Sequence, residues 1–91
     1  MSELRRARVA VRGQVQAVGF RATSWSRARS LGIAGWVRNN PDGTVEAELE
    51  GPPDRVELLL GWFGRGPHGA HVEDVRIEWL EPLGERSFTV R

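Results

Sequence analysis

Between Leu4 and Arg12 the chain alternates. Ala7, Val9 and Val11 share one side, and Arg6, Arg8, Ala10 and Arg12 share the other. That two-residue period predicts a half-buried strand, which Gly13 is expected to end. From Phe20 to Leu31 the spacing changes. Ala22, Trp25, Ala28 and Leu31 recur every third position, which predicts a helix burying that stripe, with Gly32 as its left-handed terminator. Ile33 to Asn39 reads as a second strand. Asn40-Pro41-Asp42-Gly43 is a turn, because proline pre-sets φ and Asp-Gly takes the bridge and left-handed positions. Thr44 to Glu50 alternates again. Val45, Ala47 and Leu49 face the core while Glu46, Glu48 and Glu50 face out, so the second and third strands form a hairpin. Gly51-Pro52-Pro53-Asp54 breaks the strand and opens a second helix. Its Val56, Leu59, Leu60 and Phe63 fall at i, i+3, i+4 and i+7, a buried stripe. Gly64 to Gly69 reads as loop. Val72 to Leu80 reads as a fourth strand with Val75, Ile77 and Trp79 on one face. After the turn at Pro82-Leu83-Gly84, Ser87 to Arg91 forms a short edge strand.

The order β-α-β-β-α-β with a terminal strand is the split βαβ, ferredoxin-like pattern of the α+β class. Two helices then cover one face of a largely antiparallel sheet. A right-handed crossover makes the first two strands parallel, with the third between them. Their C-terminal ends emerge together, two strand spacings or roughly 10 Å apart. The segment Gly13 to Arg21 leaves one of those ends, and Asn39 closes the other.

That juxtaposition gives the segment its chemistry. It precedes a helix N-terminus, where first-turn N–H groups lack partners and the dipole is positive. Successive N–H groups from Gln16 to Phe20 can form an anion nest, and Arg21 can add a bidentate guanidinium. Gln16 and Arg38 flank the place, as loop support or as further attraction for an anion.

Composition narrows the possibilities. Ninety-one residues, 40% hydrophobic and 27% charged, suit one small domain spanning residues 1–91. Cysteine is absent, which removes disulfides, thiolate nucleophiles and Cys-based zinc sites. All 13 basic residues are arginine, so no P-loop or Schiff-base lysine exists. Met1-Ser2-Glu3-Leu4-Arg5-Arg6 lacks the apolar stretch of a signal peptide, and no apolar run approaches a membrane span. A cytoplasmic monomer is the expectation. Gly64-Arg65-Gly66-Pro67-His68-Gly69 matches a dinucleotide-loop spacing but follows a helix and contains proline, the wrong context. His68 and His71 read as solvated loop residues, and Trp25, Trp36 and Trp79 as core.

Two stretches carry a resemblance. Gly13-Gln14-Val15-Gln16-Ala17-Val18-Gly19-Phe20-Arg21 is similar to the acylphosphatase signature Gly-x-Val-Gln-Gly-Val-x-Phe-Arg. Gly35-Trp36-Val37-Arg38-Asn39-Asn40-Pro41-Asp42-Gly43-Thr44-Val45, with Gly51 after it, is similar to the second signature of that family. Ala17 stands where the family usually has glycine. If φ is positive there, alanine costs on the order of 1 kcal/mol, unless Gly19 absorbs the turn. The resemblance implies hydrolysis of acyl phosphates to a carboxylate and inorganic phosphate, without metal or other cofactor. By the same resemblance Arg21 binds the phosphoryl group with the loop N–H groups of Gln16, Ala17, Val18, Gly19 and Phe20, and Asn39 orients water. Inorganic phosphate or sulfate can occupy the loop.

Two other classes compete. A non-catalytic acylphosphatase-like module has the same motifs. The chain stops at Arg91 without an extension, which leads to the expectation of a free-standing enzyme. RNA-recognition modules share the topology but need aromatic residues on the open faces of the first and third strands. Here those faces carry Arg6, Arg8 and Arg12 against Glu46, Glu48 and Glu50, expected as exposed pairs of small individual worth. No nucleic-acid or membrane partner is expected.

Overall fold

A computed structural model describes residues 3–91. Met1 and Ser2, the start of the stretch that lacks a leader-like run, lie outside the described residues. Seven elements follow in order: β1 (Arg5–Gln14), α1 (Phe20–Leu31), β2 (Ala34–Asn39), β3 (Val45–Gly51), α2 (Pro53–Phe63), β4 (His71–Leu80) and β5 (Phe88–Val90). The sheet order is β4-β1-β3-β2-β5. Every neighbouring pair is antiparallel except β2 and β5. This is the ferredoxin-like α+β architecture, widened by one short parallel strand. No helix among the described residues is long and apolar enough to cross a membrane.

The inward residues of the alternating strands make the core. Ala7, Val9, Val11, Val45, Ala47 and Leu49 are fully buried, beneath Val56, Leu59 and Phe63 of α2. Phe20 opens α1 and packs on Trp62 and Phe63, with ring centroids 5.1 and 5.4 Å away. That aromatic cluster fixes the start of α1. β1 runs two residues past its expected end, because a register shift after Arg12 lets Gly13 and Gln14 keep pairing with β4. A Cβ on Gly13 would lie 2.1 Å from the carbonyl oxygen of His71, so this glycine is required by the close approach of two strands.

Four expectations need correction. First, the buried face of α1 is Phe20, Ser24 and Ala28, not the Ala22–Trp25–Ala28–Leu31 stripe. Small residues let the helix approach the sheet, and the Ser24 hydroxyl is satisfied by donating to the Phe20 carbonyl at 2.6 Å. Trp25 is consequently 38% exposed. Second, Trp79 and Ile77 share the core-side register with Ala7 and Val9 but are about half exposed, since β4 is an edge strand. The Arg5 guanidinium lies 3.9 Å from the Trp79 ring centroid. Third, Trp36 is buried as expected, but on the opposite face, in register with Glu48 and beside the guanidinium groups of Arg38 and Arg91.

The fourth correction concerns the face expected to be open. Arg6, Glu48 and Glu50 are buried there, Arg6 with 1% exposure. The segment between β4 and β5 crosses them. Arg6 donates to Glu48, Glu50 and Glu85 at 2.7, 3.0 and 2.6 Å. Arg8 donates to Glu48 at 2.7 Å. Glu50 also accepts the backbone N–H groups of Leu83 and Gly84 at 2.7 and 2.8 Å. Arg12 is not part of this group and pairs with Asp74. Burial opposes the charges of Glu48 and Glu50, but their donors outweigh it. Arg8 and Arg6 hold Glu48 below the usual carboxylate range. The Leu83 N–H, Arg6 and the Gly84 N–H do the same for Glu50. Cross-strand pairing was expected; its burial under a strap was not.

Candidate active site

The β1–α1 connection is built on two left-handed residues. Ala17 has φ 61° and Gly19 has φ 77°. Gly19 does not relieve Ala17: both positions need positive φ, and Ala17 is the one non-glycine residue there among the described residues. Alanine in that region carries strain of about 1 kcal/mol. Among the described residues, no backbone N–H from Gln16 to Gly19 donates to a backbone acceptor. The helix then starts at Phe20, where first-turn N–H groups have no intrahelical partner.

Gln16 ties this loop to the β2–β3 turn. Its Nε2 donates to the carbonyls of Asn40 and Thr44 at 2.8 and 3.0 Å. Both are next to or near Asn39, the last residue of β2. The turn itself is held by Asp42, which accepts the Thr44 N–H and hydroxyl at 3.0 and 2.7 Å. Those two bonds keep the Asp42 carboxyl below its ordinary range. Gly35 lets β2 lie close to β3, since a Cβ there would be 1.8 Å from the Glu48 carbonyl oxygen.

Arg21 and Asn39 line one cleft of about 520 Å³, together with Val15, Ala17, Gly19, Phe20, Ala22, Trp25 and Val90. The Asn39 Oδ1 is buried and accepts no hydrogen bond within the described residues. A buried acceptor of this kind is costly unless something donates to it. The Arg21 Nη1 donates to the main-chain oxygen of Arg91 at 2.9 Å. Arg91 is placed by its own N–H, which donates to the Val37 carbonyl at 2.8 Å.

Arg38 turns away from the cleft to Glu46, at 2.8 Å. Gln16 and Val18 are not among the residues lining it, so Gln16 meets the site through the turn it holds. Sequence reasoning missed Val90 and Arg91, whose link to Arg21 spans 70 positions, and it placed Trp25 in the core. A helical wheel centred on Phe20 rather than Ala22 would have moved Trp25 off the buried face.

A family model described as Acylphosphatase matches residues 7–90. The chain belongs to the acylphosphatase family. An acylphosphatase of Thermococcus kodakarensis is 53% identical over 93% of each chain. One from an Anaeromyxobacter species is 54% identical over 100% of this chain and 99% of its own length. The solved acylphosphatase of Coxiella burnetii superposes with a TM-score of 0.92 at 34% identity, over 97% of this chain and 93% of that one. Acylphosphatase membership accounts for the paired signatures and for the cleft they flank. The alanine at position 17 is accommodated with its backbone left-handed.

Proposed function

We propose that this acylphosphatase-family chain acts as a single monomeric domain that hydrolyses acyl phosphates to a carboxylate and inorganic phosphate. The N–H groups of the loop residues that line the cleft, Ala17, Gly19 and Phe20, and the Arg21 guanidinium hold the phosphoryl oxygens. Asn39 Oδ1 accepts a hydrogen bond from the attacking water and aims its oxygen at phosphorus. The water P–O bond forms, the P–O bond to the acyl group breaks, and the electron pair leaves with the carboxylate. The proton from water passes to the phosphate product or to solvent. The observation that carries this reading is that Arg21 and Asn39 line one cleft, with the buried Asn39 Oδ1 left without a donor among the described residues.

The reaction suits so small a set of groups. The leaving carboxylate has a pKa of about 4, so it departs without a general acid. Phosphoryl transfer depends on positioning and charge stabilisation, which donors and one amide can supply without a metal. An alkyl phosphate leaves as a poor alkoxide and needs protonation that nothing in the cleft provides. Acyl phosphates are therefore strongly preferred.

The test is hydrolysis of benzoyl phosphate in chelated, metal-free buffer by wild type, Arg21→Ala and Asn39→Ala. Each variant should lose on the order of 10²–10³-fold in kcat, as for removal of a transition-state donor. Undiminished rates in both would refute the assignment. A folded wild type without activity would favour a phosphate-binding module. Comparable turnover of an alkyl phosphate would refute the leaving-group argument.

A further inference from the structure

The cleft extends beyond the groups needed for hydrolysis. Besides Arg21 and Asn39, its lining includes the apolar Val15, Phe20, Ala22, Trp25 and Val90. Among the described residues, Arg21 is the only charged one that lines it. We propose that Trp25 is the contact for the acyl group and makes the enzyme selective for acyl phosphates whose acyl part is flat, uncharged and apolar. The proposal rests on the reading of this cleft as the hydrolytic site.

Trp25 is held for that task. Trp36 and Trp62 are 6% and 4% exposed, but Trp25 is 38% exposed, because Ser24 rather than Trp25 faces the core. Its ring also borders a second groove, lined by Arg29, Gly32, Ile33, Arg86, Ser87 and Phe88. The indole is thus a partition between two grooves. The Arg29 guanidinium is 4.8 Å from its ring centroid. Arg29 borders the second groove and is absent from the lining of the cleft, and we assign its stacking to the side away from the proposed substrate. That cation–π contact orients the ring and leaves its cleft side available.

The spacing also fits. Arg21 and Trp25 are four residues apart in α1, on one face and one turn apart, roughly 6 Å along the axis. A phosphoryl group on Arg21 directs the part of the substrate beyond its carbonyl along the helix toward the indole. A charged acyl group would meet Val15, Ala22, Trp25 and Val90 and find no partner to offset its desolvation. An aromatic or branched acyl group would bury apolar surface and stack on the indole.

The experiment measures kcat and KM for benzoyl phosphate and acetyl phosphate with wild type, Trp25→Ala, Trp25→Phe and Arg21→Ala. Comparing the ratio of kcat/KM values between proteins cancels the difference in intrinsic reactivity of the two substrates. Trp25→Ala should lower the benzoyl-to-acetyl ratio about five- to tenfold, the scale of an aromatic contact, chiefly by raising KM for benzoyl phosphate. Trp25→Phe should restore most of the ratio. An unchanged ratio in Trp25→Ala, with Arg21→Ala inactive on both substrates, would overturn the role of Trp25 and leave the hydrolytic site standing. Full activity of Arg21→Ala on both would overturn the site and the inference together. Thermal unfolding of Trp25→Ala checks the fold, and equal losses on both substrates would count against acyl selectivity.

Discussion

Glu50→Gln is the substitution whose cost can be worked most directly from the structure. One oxygen of Glu50 accepts from Arg6 and from the Leu83 N–H, and the other accepts from the Gly84 N–H. Glutamine offers one oxygen. If that oxygen keeps Arg6 and Leu83, the amide NH₂ faces the Gly84 N–H, donor against donor. One charge-assisted bond is lost, and an N–H under the strap loses its acceptor. Hydrogen bonds to charged groups contribute about 1.5–3 kcal/mol and a stranded donor costs about 1–3; the two overlap, because the stranded N–H is the donor of the lost bond, so about 2–4 kcal/mol is expected. For a domain of this size that is a fall in Tm of roughly 10–30 °C. The assay is urea and thermal unfolding of both proteins at pH 7 and at pH 3. The Glu50 carboxyl is held below its ordinary range in the fold. Its contribution is therefore complete above the unfolded value of about 4.3 and is lost as pH falls through the lower folded value. The gap between wild type and variant should be full at pH 7 and smaller at pH 3. Equal stabilities at pH 7, or a gap that widens in acid, would refute the reasoning.

Two further substitutions separate tether from scaffold. Gln16→Met keeps the length of the side chain but removes both donors. The Asn40 carbonyl still accepts from Gly43 and the Thr44 carbonyl from Asn40, so stability should fall by only about 1 kcal/mol. Initial rates should fall by on the order of ten- to a hundredfold as the loop loosens against Asn39, and an unchanged kcat would reduce Gln16 to a structural role. Gly35→Ala drives a Cβ against the Glu48 carbonyl at positive φ and should cost more than about 4 kcal/mol. Gly43→Ala, at positive φ in open space, should cost about 1 kcal/mol; similar urea midpoints for the two would contradict this account.

What was legible in the sequence was local or periodic. The alternation of β1 and β3 gave their inward residues, and Asn-Pro-Asp-Gly gave the hairpin. The handedness of the crossover gave the placement of β3 between β1 and β2, and with it the meeting of Arg21 and Asn39 at one cleft. Other features depended on segments far apart in the chain. Nothing near Arg6 announces that Glu85 will cover it, so a strand pattern reads it as exposed. The three-residue spacing of Ala22, Trp25 and Ala28 competes with Phe20, Ser24 and Ala28, and tertiary packing of small residues chose the second. The terminal strand was legible as an edge, but its partner β2 was not, and so neither was the part Val90 plays in the cleft.

The left-handed pair at Ala17 and Gly19 also bears on when the cradle becomes ordered. A glycine at position 17 would leave the loop many backbone states, and an incoming anion would have to select one of them. Alanine has fewer states to lose. Its strained one is already imposed by the fold, through the Gln16 bonds on one side and the start of α1 on the other. Conformational entropy is thereby spent during folding instead of at each encounter with substrate. In the proposed function, the loop is then ready before the phosphoryl group arrives, and binding free energy remains for the steps that follow.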